Sequence, residues 1–193
     1  MPTRPSARAD VLAVAADRAS TEGLEGLTIG SLAAGLGMSK SGVVGLFGSK
    51  TDLQVATLRA ASERFQREVI DAVDADPGVE RLRQLACRWL DHVATAYAGG
   101  CFFIAAAADL DGRPGAARDV LVALESSWIA TLSAEAKLAV RLGELPRDTD
   151  PDQLAFELFA TLLAANFWNQ LLDDPGGLDR ARVVIDRLTN PAG

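Results

Sequence analysis

Histidine and cysteine, the side chains most often used for acid–base and covalent chemistry near neutral pH, number only one and two here, and spacing sets none of them beside a partner. His92 is the only histidine, and it follows Trp89 by three residues and Leu85 by seven, which turns it toward the inside of a predicted helix. Cys87 and Cys101 form no CxxC pair, and one histidine with two distant cysteines lacks the spacing of a metal site. Asp109 and Asp111 beside Gly112 fall short of a calcium loop and read as a turn. The string Gly42…Gly48-Ser49-Lys50-Thr51 looks like a phosphate-cradling loop, yet Ser separates Gly from Lys and a helix stands where a strand is required. Gly35-Leu36-Gly37 lacks the third glycine of a dinucleotide fingerprint, Lys40 standing in its place. No base is set beside a nucleophile, so neither catalysis, a metal ion nor a cofactor is expected.

Non-covalent recognition remains. Trp89, Phe102, Phe103, Trp128, Phe159 and Phe167 come from three predicted helices and one short apolar segment and together suit one apolar cavity, with His92, Asp109 and Asn166 as polar groups to orient a guest. Each aromatic taken singly reads as ordinary core, and His92 as a hydrogen-bonded core histidine. The pocket expectation rests on His92 and Asn166, because a polar residue within an apolar stripe needs a partner.

The stretch Thr28 to Leu53, TIGSLAAGLGMSKSGVVGLFGSKTDL, organises the rest. Thr28 is a good N-cap, and Ile29, Leu32, Ala33 and Leu36 follow at helical spacing. Gly37 falls where a helix end needs a left-handed residue. Ser39 caps a second helix that buries Val43, Leu46 and Phe47. Two short helices joined by so tight a turn must cross steeply, which is a helix-turn-helix.

The runs Gly37-Met38-Ser39-Lys40 and Phe47-Gly48-Ser49-Lys50-Thr51-Asp52-Leu53, with Arg8, Ala15, Ala16 and Gly23 upstream, resemble the signature of the TetR/AcrR family of transcriptional regulators. The specific part covers about the first quarter of the chain; the remainder agrees in length and helical pattern. The resemblance implies that the helix from Ser39 to Phe47 reads the major groove and that residues around Thr28 and Lys50 hold phosphates. It departs from the family at Val44, Gly45 and Leu46, where an aromatic and one or two histidines are common. Base readout therefore falls to Lys40, with Ser39, Ser41 and the backbone of Gly42 and Gly45 close to the groove, and Val44 offers apolar contact to a thymine methyl. Two glycines and two valines make this a weak helix by propensity, so packing of Val43 and Phe47 must hold it.

At 193 residues, with 49% hydrophobic and 23% charged residues, the chain reads as globular with a substantial core. No apolar run approaches the ~20 residues that span a bilayer, and no signal-peptide core precedes the first helix; the expected compartment is the cytoplasm, with reduced thiols. A net charge of −7 speaks against nucleic acid until it is divided. Residues 1–50 hold five basic and four acidic side chains, a net +1, and residues 51–193 hold the remaining 14 and 22, a net −8. Helix N-termini at Thr28, Ser39 and Ser49 add N–H donors that this count omits.

The positioning elements follow from punctuation. Prolines keep residues 1–5 out of a first helix, Ser6 to Glu22; at its start Arg8 is within reach of phosphate or a minor groove, whereas Arg4 reads as part of a solvated N-terminus. Ser49 with Asp52 resembles a capping box opening a helix to about Asp74, roughly 37 Å long. Further helices are expected over Val79–Tyr97, Ala116–Leu142, from Asp150-Pro151 (with Gln153 as capping-box partner) to Leu172, and around Val183–Leu188, with Cys101–Leu110 a short apolar segment. No stretch alternates with the period of a strand.

The expected fold is all-α: a three-helix helix-turn-helix head, residues 1–50, joined by a long helix to an all-helical ligand-binding and dimerisation body, residues 51–193. The helix from Gln153 to Leu172 carries more apolar surface than one neighbour covers, which favours a homodimer. A two-fold dimer spaces two recognition helices for a palindromic double-stranded DNA operator. The expected function is a repressor released by a small apolar ligand, with no membrane involvement. Two alternatives stand beside it: a helical ligand-binding or interaction protein with a weak or inactive head, and a small helical enzyme or redox protein using Cys87 or Cys101.

Overall fold

The computed structural model describes residues 4–190, with side chains from Ala7 onward; Met1–Thr3 of the expected tail and the Arg4 side chain lie outside the described residues. All regular structure among the described residues is helical: α1 (Arg4–Glu22), α2 (Ile29–Gly35), α3 (Lys40–Phe47), α4 (Lys50–Phe65), a π turn (Gln66–Ile70), α5 (Val79–Thr95), α6 (Phe102–Leu110), α7 (Ala116–Leu142), α8 (Pro151–Gln170) and α9 (Gly176–Thr189). Several elements differ from expectation, and α9 is longer at its N-terminus than the segment around Val183–Leu188. α1 takes in Pro5, which sits in the first turn, where a missing N–H breaks no helical bond. The helix expected to reach Asp74 is α-helical only to Phe65, then passes through the π turn and ends at Ile70. The segment from Cys101 to Leu110 forms a true helix, α6.

Among the described residues, those of Met1–Arg64 and Tyr97–Leu124 form one compact unit, and those of Phe65–Ala96 and Glu125–Gly193 a second. In the first unit, α1 buries Val11, Leu12, Ala15, Ala16 and Ala19, as its periodicity requires. α1 packs chiefly on α6, and its C-terminal turn also holds the loop leading into α6. Asp17 Oδ1 accepts from Ala98 N (3.1 Å) and Ser20 Oγ from Gly99 N (3.0 Å). A Cβ at Gly99 would stand 2.0 Å from the Ser20 carbonyl oxygen, so only glycine permits this approach. Leu24, Leu27, Leu32, Val43, Leu53 and Leu58 complete the core of this unit, each burial stabilising the fold by about 1.5–3 kcal/mol.

In the second unit α8 and α9 form the most extensive helix pair, and α5 packs on both and on the π turn. The α5 N-terminus is capped by carboxylates from elsewhere: Glu135 Oε2 accepts from Gly78 N (2.9 Å) and Glu144 Oε2 from Val79 N (2.8 Å). Asp150 caps α8 by accepting from Asp152 N and Gln153 N. Gln153 does not reach back as a capping-box partner but donates forward to Glu157 Oε1 (2.9 Å). Leu154, Leu158, Leu162 and Ala165 form the buried face of α8. Its other face, continued by Leu171 just past its end, leaves Phe156, Leu163, Phe167 and Leu171 38–68% exposed.

Candidate nucleic-acid interface and ligand site

The turn between α2 and α3 is built from backbone hydrogen bonds. Met38 N donates to Ala33 O (2.9 Å) and Gly37 N to Ala34 O (3.4 Å), a Schellman closure. Gly37 supplies the left-handed residue this closure needs, with φ +62°. Thr28 Oγ1 accepts from Ser31 N (3.0 Å) and Ser39 Oγ from Gly42 N (3.0 Å), so both helices are capped by their own side chains. Val43 and Phe47 are buried and hold α3 from behind, and the Arg8 guanidinium lies 5.1 Å from the Phe47 ring centre.

This packing leaves Ser39, Lys40, Ser41, Val44 and Gly45 exposed along α3, with Gly42 half-buried. The two hydroxyls of Ser39 and Ser41 stand 3.1 Å apart. The Lys40 side chain folds toward the start of α2: its Cε and Nζ lie 3.3 and 3.6 Å from where a Cβ of Gly30 would stand, and Thr28 Oγ1 lies 4.0 Å from the same point. Thr28 and Lys40, distant in sequence, therefore share one exposed patch.

Lys50, expected beside them as a phosphate contact, is directed elsewhere. Its Nζ donates to Glu25 O (2.7 Å) and Glu25 Oε2 (3.1 Å) in the loop between α1 and α2. Gln54, one turn on, donates to Leu24 O (3.2 Å) and Glu25 Oε1 (2.8 Å). These hydrogen bonds, that of Gln54 foremost, hold the Glu25 carboxyl below its usual range. Asp109, expected to orient a ligand, accepts instead from Glu25 N through Oδ2 (3.0 Å) and packs against Gly23. Asp109 of α6, Lys50 and Gln54 of α4 thus converge on one loop of the head.

The other expected pocket residues fall in two groups. In the first unit Phe102 and Phe103 are buried and stack edge-on at 5.2 Å, with Tyr97 5.9 Å from Phe102. In the second unit Trp89, His92, Trp128 and Asn166 are buried and Phe159 is half-buried. His92 Nδ1 stands 3.0 Å from Glu68 Oε2 on the π turn. Phe65 meets His92 edge-on at 5.6 Å and Trp128 at 5.1 Å. Phe167, also expected in the cavity, is 50% exposed on the outer face of α8.

Residues 78–185 match the family model for the tetracyclin repressor-like C-terminal domain. The chain belongs to the TetR family of transcriptional regulators. Among solved structures, a TetR regulator from Chloroflexus aurantiacus superposes with a TM-score of 0.86 at 22% identity, covering 96% of this chain and 94% of that one. A TetR-family regulator from Agrobacterium tumefaciens gives 0.82 at 19% identity, covering 95% and 98%. AibR, in complex with isovaleryl coenzyme A and operator DNA, gives 0.76 at 22% identity, covering 95% and 98%. At these identities the superpositions establish the TetR fold. No curated protein matches the chain by sequence.

Several residues of this TetR-family chain escaped the sequence reading. Gln54 is buried at 4% exposure within the apolar stripe of α4, and a polar residue there was a legible signal. Glu25, Glu68 and Glu125 had none, because their partners, or lack of them, arise from packing between elements.

Proposed function

We propose that this chain is a homodimeric, ligand-responsive repressor that binds a palindromic operator through α3 and leaves it when a small, largely apolar molecule occupies the body. Residues 1–50 contact DNA, residues 51–193 bind the ligand and the second subunit, and the protein works in the cytoplasm without catalytic activity. The observation that carries this reading is the outward face of α3. Ser39, Lys40, Ser41, Val44 and Gly45 are exposed while Val43 and Phe47 anchor the helix from within. Lys40 supplies the long base contact, Val44 the apolar one, and Thr28 a phosphate contact at the α2 N-terminus. Lys50 acts through Glu25, shaping the loop that presents α2.

The exposed apolar stripe of α8 (Phe156, Leu163, Phe167 and Leu171) supports dimerisation, since a face of this kind left to water marks an interaction site. Among the described residues no helix is long and apolar enough to cross a membrane. The convergence of Asp109, Lys50 and Gln54 on the α1–α2 loop supports coupling of α6 to the head, which ligand release requires. Selection of genomic fragments with the purified protein tests the reading: it should recover a palindromic site bound by two protomers. Recovery of no sequence, or of one bound by a single protomer, would contradict it.

A second reading, an interaction protein with a weak head, draws on Lys50 being spent on Glu25, which leaves Lys40 as the principal cation of the α3 patch. Salt-dependent binding to the selected fragment separates the two.

A further inference from the structure

Two polar groups in the second unit have no hydrogen-bond partner among the described residues. Trp128 is buried, and its indole Nε1–H meets no acceptor. Glu125 precedes it by three residues on α7, so the two share one face of the helix. Glu125 is half-buried and forms no hydrogen bond or ion pair among the described residues; burial alone pushes its carboxyl up to about 7. Buried polar groups in native proteins are normally paired, and an exception calls for a missing partner. Phe65 lies edge-on to Trp128 at 5.1 Å, supplying an aromatic wall. The π turn that begins after Phe65 is a departure from α-helical geometry of the kind that gathers at functional sites.

The unmet valences define the guest. An indole N–H is only a donor and requires an acceptor; a carboxylate without a cation requires a donor, charged or neutral. A hydrocarbon would leave both unpaired, and an acid would set like charge against Glu125. We propose that the effector of this regulator is an amphiphilic organic amine, its nitrogen donating to Glu125, an ether or carbonyl oxygen accepting from Trp128 Nε1, and its apolar frame lying on Phe65 and Trp128. This rests on the reading that the body takes a ligand, and narrows that ligand from apolar to cationic amphiphile.

Calorimetric titration of the full chain with naphthyloxypropylamine, naphthyloxypropanol and naphthyloxypropionic acid, which share one frame, tests it. The amine should bind about tenfold more tightly than the alcohol, as a charge-assisted hydrogen bond provides, and the acid weakest. Glu125→Gln, which keeps shape and helicity (checked by circular dichroism), should abolish the amine's advantage and leave the alcohol unchanged. Trp128→Phe should weaken amine and alcohol alike. An amine advantage that survives Glu125→Gln overturns the proposal, as does tightest binding by the acid or alcohol, though these last leave ligand response standing. Binding by none of the three overturns it too. If the amine binds at Glu125 but leaves operator affinity unchanged, a binding site stands but the amine is not the effector, and the proposal is overturned.

Discussion

Glu25 and Glu125 are both partly buried carboxylates, one in each compact unit, and their surroundings are opposites. Glu25 is held by Gln54 at 2.8 Å and Lys50 at 3.1 Å, with Arg113 at 3.6 Å, and its own N–H is taken by Asp109. Its carboxyl is shifted down by those hydrogen bonds. Glu125 has no such partner, and burial shifts it up to about 7. Where every group is satisfied, the chain is fixing geometry: the α1–α2 loop, and with it the presentation of α2 and α3. Where groups are left unsatisfied, the fold accepts a cost that a bound molecule can offset.

The largest expected consequence lies on the satisfied side. Gly23 has φ +78°, and a Cβ there would stand 2.2 Å from Asp109 Oδ2. Gly23→Ala should therefore strain the backbone and displace the carboxylate from Glu25 N, costing about 3 kcal/mol. For a chain of this size that lowers Tm by about 6–12 °C in calorimetry. A fall of a degree or two would mean that the loop is not held as described.

Glu125→Gln should do the reverse. The folded carboxyl titrates at about 7 against an ordinary 4.5, so the native state binds more protons between those values and loses stability as pH rises through them. The penalty is absent below pH 4.5 and complete above 7. The variant should gain about 2 kcal/mol at pH 8, or about 4–8 °C in Tm, and nothing at pH 4. Equal gains at both pH values would show that shape rather than charge is responsible. Lys50→Ala is the smallest of the three. Its ion pair is partly solvent-exposed, so its removal should cost about 1 kcal/mol and lower operator affinity less than Lys40→Ala does, as a mobility-shift titration would read.

What was legible in the sequence was local. Thr28, Ser39 and Asp150 cap the helices that follow them because a cap needs only its own next three residues. Gly37 marks the turn for the same reason. The fates of Lys50 and Asp109 were hidden because their partner, Glu25, lies 25 and 84 residues away along the chain. The π turn after Phe65 leaves no mark in the apolar stripe of α4, which continues through Val69. Phe167 was misplaced because α8 is apolar nearly all round: periodicity gave no phase, and only packing against α5 and α9 settles which face is inside. Family membership was readable from the head, yet the family model matches the body. The fold therefore rests on agreement between the two ends of the chain.

The central claim is that the exposed face of α3 reads DNA through Lys40. Fluorescence anisotropy with a labelled operator fragment, comparing the native chain with Lys40→Ala, tests it most directly. The account predicts salt-dependent binding by the native chain and about tenfold weaker, less sequence-selective binding by the variant. Equal affinity and selectivity in both, or no binding by the native chain at low salt, would contradict it.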